Sequence, residues 1–132
     1  MAAGSAPDRR RGGRLAPLRR LVRRLGLSEE ELEAERLQRS AARAGCRLVS
    51  ECSRGDLVTL SGRLRTVVYT PRTQLPAVEA ELYDGSGVVT LVWLGRRSIA
   101  GVEPGRELMV RGRLALREGE PVIYNPYYEL SA

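Results

Sequence analysis

The stretch AVEAELYDGSGVVTLVWL, residues 77–94, decides the fold. Apolar and polar residues alternate on both sides of Asp84-Gly85-Ser86-Gly87, the period of a half-buried strand, and the four-residue break has turn chemistry. The stretch therefore reads as a hairpin. If Tyr83 pairs with Val88, then Leu82 faces Val89, Ala80 faces Leu91 and Val78 faces Trp93. These six share one apolar face and form an interior, because the side-chain period of a strand admits no half-measures in register. Trp93, the chain's one tryptophan, is then a core residue. The competing reading makes it a stacking platform for bases. The opposite face carries Glu79, Glu81, Tyr83, Val88, Thr90, Val92 and Leu94.

The same period extends outward. LVTLSGRLRTVVYT, residues 57–70, alternates, and RELMVRGRLALR, residues 106–117, repeats that alternation around a shared Gly-Arg-Leu. PVIYNPYYEL, residues 121–130, is a fifth strand interrupted by Pro126. The connector GRRSIAGVEPG, residues 95–105, has room for one helical turn at 98–102. Mid-strand glycine marks a bulge or a sharp bend. Five strands, with bends in the first and fourth and a long connector after the third, predict an all-β core: a five-stranded OB-fold barrel over 57–130. An SH3-like barrel has shorter strands and differently placed loops, and ranks second.

Ahead of the barrel the composition shifts. All 22 basic residues of the 132 are arginine, histidine and phenylalanine are absent, and the net charge is +6. That bias has the look of GC-rich coding, so arginine count alone is weak evidence for phosphate binding. Its placement says more. Residues 1–27 hold eight arginines and one aspartate, a net of +7, whereas residues 57–132 hold nine arginines against eight carboxylates, a net of +1. A basic, largely disordered or amphipathic arm is expected over 1–27, with Leu15, Leu18, Leu21, Val22 and Leu25 at helical spacing. A helix follows over 28–45, with Ser28 and Glu31 as a capping box and Gly45 as a stop. Its apolar stripe, Leu32, Leu37 and Ala41, is thin and suits weak packing on the domain or on a protein partner. Residues 46–56 form a linker.

From residue 56 to residue 130 the chain resembles a family of small actinobacterial OB-fold nucleic-acid-binding proteins. LPAVEAELYDGSGVVTLVWLGRRSIAGVEPGREL and IYNPYYEL carry the likeness. It is also similar to the OB domains of anticodon-binding synthetases and to the wedge domain of a branch-migrating helicase. The resemblance implies nucleic-acid binding, although a shared fold does not by itself establish function.

The residues must therefore be weighed one by one. Arg63 and Arg65 face outward on the first strand, where antiparallel pairing sets Arg65 near Glu81 and Arg63 near Tyr83. Ion pairing with a cation–π contact explains them as well as phosphate binding does, with Tyr83 then stacking a base. Arg96 and Arg97 follow the third strand with no acid before Glu103. Arg72 lies in the loop between the first two strands, a usual OB contact loop. Asn125 and Tyr127 bring an amide and a ring to the last strand; of Tyr127 and Tyr128, one fills the barrel bottom and the other lies on the surface.

Together these residues predict a non-enzymatic module that binds single-stranded or structured DNA or RNA with little sequence preference. The alternative is a protein–protein adaptor, with the helix over 28–45 as its contact and the arginine-rich arm as a tether to anionic lipid or nucleic acid. An enzyme is not expected: histidine and lysine are missing, and neither GxGxxG nor GxxxxGK occurs. No catalytic residue, metal site or cofactor is expected, since Cys46 and Cys52 alone fall short of the usual four ligands. They are expected to be reduced thiols. With no long apolar run or secretory signal, no integral membrane association and a cytoplasmic location are expected. The arginine-rich start also matches an organellar transit peptide.

Overall fold

The computed structural model describes residues 28–71 and 75–131. The basic arm over 1–27 and Arg72 lie outside the described residues. Backbone contacts divide the chain into two units, Met1–Glu33 and Ala34–Ala132. Of the first, the described part is the N-terminal cap and first turn of helix α1, Glu29–Arg43. Ser28 and Glu31 make the reciprocal box: the Ser28 N–H donates to Glu31 Oε1 at 2.8 Å and the Glu31 N–H donates to Ser28 Oγ at 3.0 Å. At the other end, the Gly45 N–H donates to the Ala42 carbonyl and the Cys46 N–H to the Ala41 carbonyl, a Schellman closure.

The second unit is built on six strands: β1 Leu57–Thr70, β2 Ala77–Tyr83, β3 Val88–Leu94, β4 Glu107–Arg117, β5 Glu120–Tyr124 and β6 Tyr127–Leu130. Their order is β1-β2-β3-β5-β4-β6, and β1 also pairs with β4, so five strands close in a ring. All neighbours are antiparallel except β3 and β5. The expected fifth strand is two strands, because both β5 and β6 pair with β4, on Leu114–Arg117 and Leu108–Arg111 respectively, with Asn125 and Pro126 between them. Proline has no N–H for a ladder, so the break falls there.

The hairpin of β2 and β3 has the register Tyr83↔Val88, Leu82↔Val89, Ala80↔Leu91 and Val78↔Trp93. All six inward residues from Val78 to Trp93 lie in one apolar core with Leu60, Leu108 and Ile123. Trp93 is 5% exposed and donates its indole N–H to the Pro126 carbonyl at 3.1 Å, so it is a core residue.

β1 serves two partners. Its first half pairs with β4, its second half with β2, and Gly62 sits at the changeover. A Cβ at Gly62 would run into the Tyr83 carbonyl, so only glycine permits this approach. The bulge itself falls two to four residues later, between Leu64 and Thr66.

Two expectations change here. The connector at 98–102 forms no helix: one backbone bond, from the Val102 N–H to the Ile99 carbonyl, closes a turn. The outward face of β2 and β3 is not all open surface, since Val92 is buried in a second apolar cluster with Ala77 and Val122. Arg117 of β4 reaches across β5 and β3 to grip both carboxylate oxygens of Glu79, at 3.1 and 3.3 Å. Of the two expected uses of the α1 stripe, packing within the chain is the one Leu37 and Ala41 take. Leu37 and Ala41 are 1% and 0% exposed, and Gln38 donates to the Gly85 carbonyl at 2.8 Å. These two residues thus offer no apolar face to a protein partner.

The lead-in to the ring is fixed by one buried carboxylate. Asp84, 0% exposed, accepts from the Val49 N–H through Oδ2 and from Ser86 N–H, Ser86 Oγ and Gly87 N–H through Oδ1. Cys46 and Cys52 are free thiols whose pKa burial pushes above the usual value.

Candidate nucleic-acid interface

A concave pocket opens where β3 ends, beside the break between β5 and β6. Its walls include Trp93 and Leu94 of β3, Arg96 from the connector, Asn125 and Pro126 from the break, and Tyr127 at the start of β6. Each wall has a local cause. Asn125 takes a positive φ of 52°, which asparagine tolerates better than most residues. In that conformation its N–H donates to the Val92 carbonyl at 2.6 Å and its Oδ1 accepts the Leu94 N–H at 2.9 Å. The break is thereby stitched to the end of β3. Asn125 is accordingly a builder of the pocket, with its Nδ2 as the donor left for a ligand.

The two neighbouring tyrosines divide as alternation requires. Tyr128 turns inward, its ring edge-on to Trp93 with centroids 5.8 Å apart, and its hydroxyl donates to the Ala100 carbonyl at 2.9 Å, holding the connector. Tyr127 turns outward and is 51% exposed. Its hydroxyl donates to Glu129 Oε2 at 2.7 Å, and the Arg111 guanidinium lies 5.6 Å from its ring centroid. The Glu129 hydrogen bond raises the Tyr127 phenol above its ordinary 10.0.

The sequence-derived candidates fall into two groups. Arg96, Asn125 and Tyr127 meet in the pocket, and Arg97 is exposed beside it. Arg63, Arg65 and Tyr83 lie apart from them on β1 and β2. Arg63 is paired in register with Tyr83, but the bulge sets Thr66, not Arg65, opposite Glu81. Arg65 instead covers the Tyr83 ring at 3.8 Å, so the expected Arg65–Glu81 pairing is replaced by a cation–π contact. That contact occupies one face of Tyr83. Arg72 lies outside the described residues.

Two further groups escaped the reading of the sequence. Arg111 and Arg113 are outward and exposed on β4, and Arg113 donates to the Gly55 carbonyl at 2.6 Å. The alternation of residues 106–117 places both on the outer face. Only the pairing of β4 with β6 shows that Arg111 stands beside Tyr127 of the pocket, with Arg113 two residues further along β4.

No family description and no curated protein sequence matches the chain. Solved structures do. RecG bound to a three-way DNA junction aligns at 22% identity with a TM-score of 0.54, over 64% of this chain and 12% of that one. The p204 HINb domain aligns at 18% identity and a TM-score of 0.53, over 69% of this chain and 49% of that one. This chain thus spans less than half the length of either, and the likeness is one of fold. No helix among the described residues is long and apolar enough to cross a membrane.

Proposed function

We propose that residues 57–130 form an OB-type barrel of the kind found in the small actinobacterial family the sequence resembles. On this reading it is a non-enzymatic cytoplasmic module that binds single-stranded or structured nucleic acid. The observation that carries this is the pocket at the end of β3, where the exposed Tyr127 ring, the Arg96 guanidinium and the Asn125 amide converge. A ring supplies a stacking face that any base can use, and a guanidinium supplies a phosphate contact, so the pair favours binding with little sequence preference. The arm, with its net of +7, adds a salt-sensitive contribution to affinity. The fold likeness to RecG, whose structure holds a three-way DNA junction, places branched DNA among the substrates to try.

The test is an anisotropy titration of the full chain against labelled single-stranded DNA, duplex DNA, a three-way junction and RNA, over a range of salt. Binding to at least one is expected, tightening as salt falls. Changing Arg96→Ala together with Arg97→Ala should weaken it at least about fivefold, the scale of roughly 1 kcal/mol per lost charged contact. Absence of binding to every probe at low salt refutes the reading. An adaptor would bind none of them through the pocket, and the arginine pair would be silent.

A further inference from the structure

The usual ligand face of an OB barrel is the outside of its second and third strands. We propose that in this chain a single-stranded nucleic acid leaves that face aside and runs from the pocket over Tyr127 and along the outer face of β4, past Arg111 and Arg113. The inference rests on the nucleic-acid reading above and adds a path to it.

The surfaces differ in charge and in what they leave open. Outside β2 and β3 stand Glu79 and Glu81. Glu79 is already gripped by Arg117, and Val92 beneath is sealed by Ala77 and Val122. A phosphate backbone laid there would meet carboxylates and displace an ion pair. The β4 side offers the reverse. Arg96 lines the pocket, Tyr127 rises from its rim, and Arg111 is the cross-strand partner of Tyr127, its guanidinium over the ring. Arg113 follows two residues along the same face, about 7 Å further on and close to the spacing of phosphates in an extended single strand. The carboxylate beside this line is Glu129, whose Oε2 is occupied by the Tyr127 hydroxyl. Asp56 beyond it is paired with Arg47 at 3.2 Å. A ring between guanidinium groups is the arrangement that stacks a base while its flanking phosphates are neutralised.

The experiment uses the full chain and a labelled oligodeoxythymidylate, whose bases stack weakly on one another and leave their faces open. Tyr127→Ala should lower affinity at least about fivefold, the low end of what one stacked base contributes. Tyr127→Phe keeps the ring, removes only the bond to Glu129, and should stay within about twofold. The double change Arg111→Gln with Arg113→Gln removes both charges while keeping polar side chains on the strand, and the melts below register any cost of losing the Arg113 bond to the Gly55 carbonyl. This double change should flatten the log–log salt slope by about 1.4, at about 0.7 per phosphate on a single strand. Thermal melts of each variant check that the ring of strands is intact.

Several results overturn the path. One is that Arg96→Ala with Arg97→Ala weakens binding while Tyr127→Ala and the Arg111 and Arg113 changes do not; that leaves nucleic-acid binding standing without this route. A second is that Glu79→Gln with Glu81→Gln raises affinity more than the Arg111 and Arg113 changes lower it, which places the strand on β2 and β3. A third is that polyglutamate competes as well as the oligonucleotide and ignores Tyr127→Ala, which reduces the strip to charge alone. If the unaltered chain binds no nucleic acid, the function proposed above fails and the path with it.

Discussion

Asp84 is the residue whose loss should cost the fold most for the fewest atoms removed. Its two oxygens serve different parts of the chain: Oδ2 accepts the Val49 N–H at 2.8 Å, and Oδ1 accepts Ser86 N–H, Ser86 Oγ and Gly87 N–H at 2.9, 2.7 and 3.2 Å. Asp84→Ala orphans all four donors. Val49 is buried, so its N–H cannot turn to water, and an unmet buried donor costs about 1–3 kcal/mol. The turn donors are half-exposed and can recruit water, losing about 0.5–1 kcal/mol each. The sum is about 2.5–6 kcal/mol, and a domain of this size loses about 4–8 °C in Tm per kcal/mol. Asp84→Asn is the sharper probe. An amide has one acceptor oxygen, so whichever way it turns, its NH2 meets a backbone donor; with the turn kept, the Val49 bond is lost and the cost is about 2 kcal/mol. Ser86→Ala, which leaves the carboxylate, should cost only about 1 kcal/mol. Calorimetry on the three variants should order them Ala, Asn and then the Ser86 change, from most to least destabilised. A melt of Asp84→Asn within about 2 °C of the unaltered chain would show that the Val49 N–H does reach water, and would refute the reasoning.

Acrylamide should quench Trp93 far less than free tryptophan, and Asn125→Ala should increase the quenching by loosening the break that covers it. Deleting residues 1–27 removes a net of +7 and should flatten the single-strand salt slope by up to about 5, with a melt run to confirm folding; an unchanged slope would mean that the arm makes no phosphate contacts. The Ser53 N–H, at 2.9 Å, and then Arg47 hold the Asp56 carboxyl below its usual 3.8. A carboxylate whose folded pKa is depressed stabilises the fold above the unfolded value and loses that stabilisation as pH falls through the folded one. Carboxyl NMR should therefore find the Asp56 midpoint below 3.8, and Asp56→Asn should reduce the acid dependence of Tm.

The hairpin of residues 77–94 could be read to the residue because everything that sets it is local. Asp-Gly-Ser-Gly permits few turns, and the alternation on either side permits one register without exposing Leu82 or Leu91. The inward placement of Trp93 follows from that register alone. The capping of α1 is local in the same way, since Ser28 and Glu31 are one turn apart.

The site is different in kind. Arg111 and Tyr127 lie sixteen positions apart in the chain, and nothing in either stretch says that they touch; the antiparallel pairing of β4 with β6 puts them together. Arg65 came to rest on Tyr83 because β1 changes partner at Gly62 and bulges just after it. That adjustment depends on the ring closing, not on any residue beside Arg65. Asn125 and Pro126 announce a break in the last strand, yet their use as a pocket wall requires the Trp93 indole to reach the Pro126 carbonyl and the Leu94 N–H to reach Asn125. Side-chain period and turn chemistry act over a few bonds and are written in neighbouring residues. Contacts across a closed sheet are set by which strands become neighbours, and that is decided by burying the whole apolar interior at once.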